Sequence, residues 1–275
     1  MTNFADRITR IEIKSLWNGR KHIVWKLRPD VNVLSGKNGA GKSTILNRII
    51  QQLRTAPTTG EIPGKPGIGV SIDFEPATAT GIRYDIIRSF DRVLIDGPRL
   101  QSVTDEAIAT ELDWQLYQLQ RRYLDYQVNV GNRMISLLAE GSPEAQARAM
   151  DASADKRKFL DMIDALFADT EKKIDRTSNE LRFVQYGETL SPYRLSSGEK
   201  QIIIILLTAL TEDRRPYVLC MDEPEASLHF EWQKDLIQMV RTLNPNAQII
   251  LTTHSPGVIM NGWNDAVTEV GDITE

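Results

Sequence analysis

A glycine-rich loop between a predicted strand and a predicted helix constrains the fold of this chain more than any other feature. The apolar run at residues 31–34 predicts a buried strand, and residues 44–53 predict a helix. The loop between them fits the pattern Gly-x-x-x-x-Gly-Lys-Ser. Its glycines let backbone N–H groups and the start of the helix face a polyphosphate. The residues expected to contact that ligand are Gly36, Lys37, Asn38, Gly39, Ala40, Gly41, Lys42, Ser43 and Thr44.

Two side chains of this loop carry specific predicted roles. We expect Lys42 to reach the β- and γ-phosphates and Ser43 to be a ligand of Mg²⁺. Taken alone, the pattern also fits a glycine-rich turn with an exposed lysine. The motifs that follow along the chain favour the phosphate loop.

A pair of acids follows a second buried strand. The apolar run 217–221 ends in Asp222 and Glu223, so both carboxylates are predicted at the carboxyl edge of a parallel sheet. Asp222 is predicted to hold Mg²⁺, and Glu223 to polarise the water that attacks the γ-phosphate. The pair followed by Pro224 also fits the start of a helix, and the two interpretations are compatible.

One of the three histidines ends a predicted core strand. His254 follows the apolar run 248–253, downstream of the acidic pair, and is predicted to contact the γ-phosphate. His22 lies in a segment that reads as exposed and has no predicted role. His229 is ambiguous between a loop that contacts a second subunit and a helix surface.

A serine-glycine motif precedes an intensely apolar helix. The helix is predicted over residues 201–210, which places the motif at its N-terminus and so predicts a second anion site. The motif residues expected to contact nucleotide are Ser196, Ser197, Gly198 and Glu199.

These motifs, in this order, resemble those of ABC-type ATPases. The loop Gly-Lys-Asn-Gly-Ala-Gly-Lys-Ser-Thr, the signature Ser-Ser-Gly-Glu-Lys-Gln and the acidic run Asp-Glu-Pro-Glu-Ala-Ser-Leu-His are closer to the SMC, RecF and OLD-type branch than to transporters. The resemblance implies an α/β P-loop fold that binds ATP and Mg²⁺ and converts ATP and water to ADP and phosphate. Lys42, Glu223 and His254 would be its catalytic residues. In that family the signature closes over ATP on the opposite subunit, which implies a homodimer around two ATP molecules.

The expected architecture is one ABC-type ATPase domain, residues 1–275, with three parts. Residues 1–96 form an N-terminal β portion that opens with an antiparallel hairpin and contains the phosphate loop, and 191–275 carry the other motifs. Residues 97–190 form an inserted helical lobe, either a compact bundle or a short arm that docks a partner. Its apolar spacing predicts a long helix over 104–140 and a second helix around 159–167, after a break at 141–143.

Some segments carry weaker signals. The proline- and glycine-rich residues 55–69 predict a loop, after which a strand resumes at 70–74, and a last strand is predicted near 266–270. Gln101 is the best candidate for the glutamine that couples a helical lobe to Mg²⁺ in this family. Cys220 lies inside the acidic strand and is predicted to be a buried, inert thiol.

Composition sets the class of protein. With 41% hydrophobic and 25% charged residues, the chain suits a soluble globular fold. No run approaches the roughly 20 apolar residues of a membrane span, and the first residues lack secretory character, so we expect a cytoplasmic protein with no membrane. The sequence has no spacing of Cys and His residues that would predict a further metal site.

The net charge of −4 disfavours a strongly basic nucleic-acid binder, yet residues 1–28 carry seven Lys or Arg and two acids. Either this hairpin contacts DNA phosphates or it is a solvated face. Residues 97–190 carry 12 basic and 16 acidic residues, which favours the solvated face slightly. The candidate contacts are Arg7, Arg10, Lys14, Arg20 and Lys21.

The predicted function is an ATP-driven dimerisation switch that acts on DNA or controls a separate effector, in DNA repair or anti-phage defence. The segment after His254 is too short for the nuclease domain of OLD-type proteins, so any nuclease is expected to act as a separate protein. Two alternatives stay open: the ATPase subunit of an ABC transporter, and an ATP-dependent scaffold with little turnover.

Overall fold

The computed structural model describes residues 3–55, 69–89 and 108–275, and within these the chain alternates strands and helices. The helices are α1 (Lys42–Thr55), α2 (Glu111–Ala139), α3 (Pro143–Ala152), α4 (Ala154–Leu166), α5 (Ser197–Thr211), α6 (Phe230–Leu243) and α7 (Pro256–Met260). The strands are β1 (Phe4–Ala5), β2 (Arg7–Leu16), β3 (Lys21–Lys26), β4 (Val31–Ser35), β5 (Val70–Glu75), β6 (Gly81–Ile82), β7 (Tyr84–Arg88), β8 (Lys173–Ile174), β9 (Phe183–Gln185), β10 (Glu188–Leu190), β11 (Tyr217–Asp222), β12 (Ala247–Thr252) and β13 (Val267–Glu269).

Contacts divide the chain into two compact units. The first comprises residues 1–89, 214–241 and 245–275, and the second comprises residues 90–213 and 242–244. The functional boundaries expected after residues 96 and 190 stay a prediction.

A parallel sheet forms the centre of the first unit. Its strand order is β13-β4-β12-β11-β7, and every neighbouring pair is parallel. β12 is buried along its whole length, and β11 up to its last residue, because their sequences are almost continuously apolar. The carboxyl ends of β4, β11 and β12 therefore meet at one edge of the sheet. The α/β fold expected from the phosphate loop and the acidic strand is confirmed.

The N-terminal part of this unit forms an antiparallel sheet of order β3-β2-β5. It confirms the predicted hairpin, and its alternating side chains, such as Ile11 and Ile13, enter the core. Gln248 of β12 connects this sheet to the parallel one. Its buried amide accepts a hydrogen bond from the N–H of Ile8 at 2.8 Å and donates to the carbonyls of Ile8 at 2.8 Å and Arg28 at 2.7 Å. A buried polar side chain here is satisfied by backbone groups.

The second unit is mostly helical, as expected for the inserted lobe. Of the helix predicted over 104–140, residues 104–107 lie outside the described residues. The described helix begins at Glu111, because Thr110 and Asp113 form a capping box there. The predicted break holds, since Ser142 caps the next helix. Two features were not predicted: α3 itself, and a small antiparallel sheet of order β10-β9-β8.

α5 is buried from Glu199 to Thr211 and packs against α2 and α4. Its hydrophobic residues face the interior on every side, which is typical of a helix in the centre of a lobe. Within the described ranges, no helix is both long and apolar enough to cross a membrane. Gln101 and almost all of the predicted loop 55–69 lie outside the described residues.

Candidate nucleotide-binding site

The phosphate loop connects the end of β4 to the start of α1. Gly39 has a φ of 78° and Gly41 a φ of 99°, which side chains with a Cβ rarely adopt. Ala40 closes the turn by donating its N–H to the carbonyl of Lys37 at 3.0 Å. Asn38 and Gly39 are exposed, so the outer part of the loop faces solvent. The loop thus has the shape expected of an anion cradle.

Lys42 lies at the first position of α1, with only 4% of its surface exposed. Its Nζ donates to the carbonyl of Gly36 at 3.1 Å and to that of Lys37 at 3.5 Å. It also lies 2.6 Å from Nε2 of His254. The ammonium is therefore held between the loop and the end of β12, where phosphate oxygens would compete for its protons.

His254 also approaches the predicted catalytic acid. Its Nε2 lies 3.3 Å from Oε1 of Glu223, in addition to its contact with Lys42. This one nitrogen either accepts a hydrogen bond from the lysine or donates one to the carboxylate, and it does not do both at once. The site therefore has two alternative hydrogen-bond arrangements.

Glu223 adopts an unusual backbone conformation at the end of β11. Its φ is 47°, and its N–H donates to the carbonyl of Thr252 at 3.1 Å. A left-handed conformation of a residue other than glycine costs about 1–3 kcal/mol and is concentrated at functional sites. The bond to β12 holds this turn, and it leaves the carboxylate 29% exposed beside the loop.

The predicted metal ligands are adjacent. Ser43 Oγ donates to Oδ1 of Asp222 at 2.9 Å, and Thr252 Oγ1 donates to the same oxygen at 2.5 Å. A hydroxyl and a carboxylate oxygen are hard ligands that suit Mg²⁺, which takes its remaining ligands from water and phosphate. The described residues contain no cluster of three or more His, Cys, Asp or Glu that would form an all-protein metal site. The donor pair fits Mg²⁺ bound together with a nucleotide.

Sequence reasoning missed Glu225, which holds residues 253–255, the segment that carries His254, in place. Its Oε1 accepts hydrogen bonds from Thr253 Oγ1, from the N–H of His254 at 3.0 Å and from the N–H of Ser255 at 3.3 Å. Ser255 Oγ in turn donates to Gln233 Oε1 at 2.7 Å. The residue is 92% buried, so the bonds are formed away from water. The signal available in the sequence was a third acid placed two positions after the acidic pair.

Trp17 was missed as well. It lies in the turn between β2 and β3 with a φ of 52°, and it is 39% exposed. Its ring covers the last glycine of the phosphate loop so closely that a Cβ on Gly41 would lie 2.3 Å from Cη2. Lys21 Nζ lies 5.4 Å from the ring centroid. A large aromatic residue in a polar turn, upstream of the loop, was the only signal.

The signature motif begins α5 in the second unit. Ser196 is its N-cap, and its hydroxyl accepts the N–H of Glu199 at 3.3 Å. Glu199 returns the bond by accepting the N–H of Ser196 at 2.9 Å, and it also accepts Lys172 Nζ at 2.8 Å. Ser196 and Ser197 are exposed, and Gly198 is partly exposed, as expected for an anion site at a helix start.

The Glu199 carboxylate is buried, with 4% of the residue exposed, and is engaged in capping. Burial alone would raise its pKa, but the hydrogen bonds from Lys172 and Ser196 outweigh burial and lower the pKa. Its contact with nucleotide stays a prediction, whereas its contribution to the shape of the motif is directly visible.

Two other predictions concern isolated residues. Cys220 is fully buried within β11, and burial raises the pKa of its thiol to about 12, as expected for an inert thiol. His229 lies 6.5 Å, centroid to centroid, from the ring of Trp232 on the first turn of α6.

Two of the hairpin arginines, Arg7 and Arg10, pair with acids of β2 and β5. Arg7 pairs with Glu75 at 2.5 Å, and Arg10 pairs with Glu12 at 2.8 Å and with Asp73 at 3.6 Å. The hydrogen bond that Arg10 donates to Glu12 raises the pKa of Arg10 and lowers the pKa of Glu12. These charges are therefore less available to DNA phosphates than the composition of the hairpin indicates.

Residues 82–261 match the family described as "AAA domain, putative AbiEii toxin, Type IV TA system". The chain belongs to this family. The match covers the acidic strand, the signature and the histidine, whereas the phosphate loop at residues 36–44 lies upstream of it. Membership agrees with the ABC-type resemblance and with the geometry of the site, since ATPases of this kind use ATP and typically Mg²⁺.

Two curated proteins are similar to part of this chain. The "Retron Vc95 probable ATPase" of Vibrio cholerae serotype O1 biovar El Tor is 29% identical over 113 residues, which are 37% of this chain and 22% of that protein. The Septu protein PtuA of Bacillus thuringiensis is 32% identical over 105 residues, 34% of this chain and 24% of that protein. The chain thus spans about a quarter or less of these relatives.

The same AAA domain has the fold of an SMC head. The crystal structure of an SMC head bound to the C-winged helix domain of ScpA superposes with a TM-score of 0.52 and 16% identity, covering 92% of each chain. At this level of identity the similarity establishes the fold only. It agrees with the branch of P-loop ATPases to which the motifs point.

Proposed function

We propose that this chain binds ATP with Mg²⁺ at the phosphate loop and hydrolyses it. One observation carries the proposal: side chains from three separate strand ends meet within hydrogen-bond distance. Lys42 follows β4, Asp222 and Glu223 end β11, and His254 follows β12. The pattern is one of positioning and charge stabilisation, which is what phosphoryl transfer requires.

The loop and Lys42 would bind the phosphates, and Ser43 and Asp222 would hold Mg²⁺. When bound, the metal supplies positive charge beside the β- and γ-phosphates. Thr252 orients the Asp222 carboxylate by donating to it. Lys42 would exchange its contacts with the loop carbonyls and His254 for contacts with phosphate oxygens.

Glu223 would orient the attacking water and accept its proton. Once Lys42 has turned to phosphate, Nε2 of His254 is released from the lysine and is available to the water, the γ-phosphate or Glu223. Glu225 fixes the backbone N–H groups of His254 and Ser255, and therefore sets the position of the imidazole. Trp17 would stack on the base of the nucleotide at the edge of the loop.

We further propose that ATP closes two copies of the chain into a homodimer. The chain carries one phosphate loop and one signature, so a sandwich needs the signature of a second copy. The exposed start of α5, with Ser196 and Ser197, would complete the site of the partner. Two such contacts bury both nucleotides.

The dimer would act as a switch for a separate effector in anti-phage defence or DNA repair. Support comes from the relatives, which are named as a retron ATPase and a Septu protein. The SMC head structure shows this fold holding another protein, since it was solved with a domain of ScpA. Co-purification with the hydrolysis-deficient variant described next would identify the partner.

The test of hydrolysis is Glu223→Gln. General-base catalysis contributes about 10²–10⁴-fold, so the ATPase rate should fall by at least 100-fold while ATP binding is kept. Glu231→Gln is the matched control, because Glu231 is an exposed acid paired with Lys234 on α6. A Glu223→Gln protein that hydrolyses ATP at the unmodified rate would exclude Glu223 as the base. Tight ATP binding without turnover in the unmodified protein would favour the scaffold alternative.

A further inference from the structure

A groove of about 1230 Å³ lies within the second unit, and its lining includes none of the residues proposed to contact nucleotide. One wall is a face of α2 that includes Tyr117 and Arg121, and the other is the segment 180–194, which leads into the signature. Small-molecule sites usually measure roughly 300–1,000 Å³. The volume of this groove favours an extended ligand.

The groove carries two guanidinium groups that form no ion pair with any described residue. These belong to Arg121 and Arg194, both exposed. A third arginine of the lining, Arg182, pairs with Glu180 at 3.0 Å. Asp125 is the remaining acid of the lining, so the groove has a positive balance. In this respect it differs from the β-hairpin, where the carboxylates of neighbouring strands neutralise two of the arginines.

Two tyrosines, Tyr117 and Tyr193, also line the groove. Arg121 donates to Tyr117 Oη at 2.8 Å, with its guanidinium 5.2 Å from the ring centroid. Tyr193 is held by Gln120, whose amide donates to its hydroxyl at 3.0 Å and accepts the N–H of Leu181 at 3.1 Å. Rings held in this way are ready to stack without further ordering.

We propose that this groove binds a single-stranded segment of nucleic acid. Arg121 and Arg194 contact backbone phosphates, and bases stack on Tyr117 and Tyr193. Alternating positive charge and aromatic rings suit unpaired bases, whose faces are accessible, whereas a duplex hides them. An acidic peptide could form ion pairs with the arginines, but most of its side chains would not stack on the tyrosine rings.

The bound nucleic-acid segment would contact the residues that position the signature. Tyr193 and Arg194 belong to the 3-10 helix Pro192–Arg194, which Ser191 caps and which ends at Leu195. Ser196, the cap of α5, follows directly. Binding therefore occurs next to the proposed contact with the second nucleotide, although it does not itself require ATP.

Fluorescence anisotropy of a labelled oligo(dT) strand with the full chain tests the proposal. Replacing both Arg121 and Arg194 with Ala should weaken binding and reduce the slope of log K against log[salt] by about 1.4, since each phosphate contact contributes about 0.7. Tyr117→Ala should weaken binding by about tenfold, and Tyr117→Phe should restore it. Arg148→Ala is the matched control, because Arg148 is exposed in the same unit, pairs with Glu140 and lies outside the groove.

Several results would overturn the proposal: no binding at low salt, equal binding by the double arginine variant, tighter binding of duplex, or equally effective competition by polyglutamate. Ultraviolet crosslinking of a bromodeoxyuridine strand to the unmodified protein should modify Tyr117 or Tyr193, and crosslinks found only elsewhere would contradict it. Lys42→Ala separates the two sites, because it should lose ATP binding and keep strand binding. Failure of ATP binding in the unmodified protein would leave the groove assignment standing.

Discussion

A few buried polar side chains determine the geometry of the candidate site. Lys42 and Glu225 are both more than 90% buried, and each satisfies several hydrogen-bonding groups at once. Buried groups of this kind are costly when a partner is removed. Their substitution therefore reports on the site directly.

Glu225→Ala should destabilise the protein and slow hydrolysis. It would leave Thr253 Oγ1 and the N–H of His254 without their acceptor, at a cost of about 1–3 kcal/mol in the free energy of unfolding. Glu225→Gln keeps one acceptor oxygen, so its free energy of unfolding should lie between those of the unmodified protein and Glu225→Ala. Urea denaturation measures the free energy, with Glu231→Ala as the exposed control. Equal midpoints for Glu225→Ala and the unmodified protein would contradict this role.

Local motifs position the elements that carry these side chains. The phosphate loop depends on a glycine at Gly41 for two reasons, its positive φ and the ring of Trp17, whereas α5 depends on the reciprocal cap of Ser196 and Glu199.

Gly41→Ala should weaken ATP binding strongly. The new Cβ would strike the Trp17 ring and would also hold an unfavourable φ, which costs roughly 1–2 kcal/mol. Because Trp17→Ala would also remove the proposed stacking on the base, the double variant is compared with Trp17→Ala alone, and against that reference its loss should be only the part due to the backbone conformation. Titration with a fluorescent ATP analogue separates the two contributions. Full recovery in the double variant would show that the backbone conformation is not limiting.

Stability should depend on Glu199 in a defined pH range. Its pKa is lowered in the folded protein, so its contribution is present above the pKa of the unfolded chain and is lost as pH falls through the lower folded value. The difference in Tm between the unmodified protein and Glu199→Gln should therefore be large near pH 7 and shrink below about pH 4. Thermal unfolding followed by circular dichroism checks this. A difference that is constant over the range would contradict it.

Much of the first unit could be predicted from sequence because its strands are continuous apolar runs that end in functional residues. Val31, Tyr217 and Ala247 begin such strands, and the motifs follow them. The roles of Trp17 and Glu225 could not be predicted, since each acts on a residue distant in the chain. The start of α2 differs from the prediction for a different reason: apolar spacing does not reveal the residue at which an N-cap begins a helix.

The whole chain combines a P-loop core with a helical unit that carries the signature. It belongs to the AAA domain family that its residues 82–261 match and has the fold of an SMC head, yet its sequence carries one phosphate loop and one signature. Two copies are therefore needed for a complete site in the proposed mechanism. Every step of the proposed switch depends on that association.

The most direct test is light scattering of the Glu223→Gln protein with and without saturating Mg·ATP. With nucleotide trapped, the mass should rise from the 31.1 kDa of one chain to that of two, and Lys42→Ala should stay monomeric in both conditions. Ser197→Arg, which blocks the exposed start of α5, should bind ATP and remain a monomer. A Glu223→Gln protein that binds ATP and stays at the mass of one chain would contradict the proposed dimer.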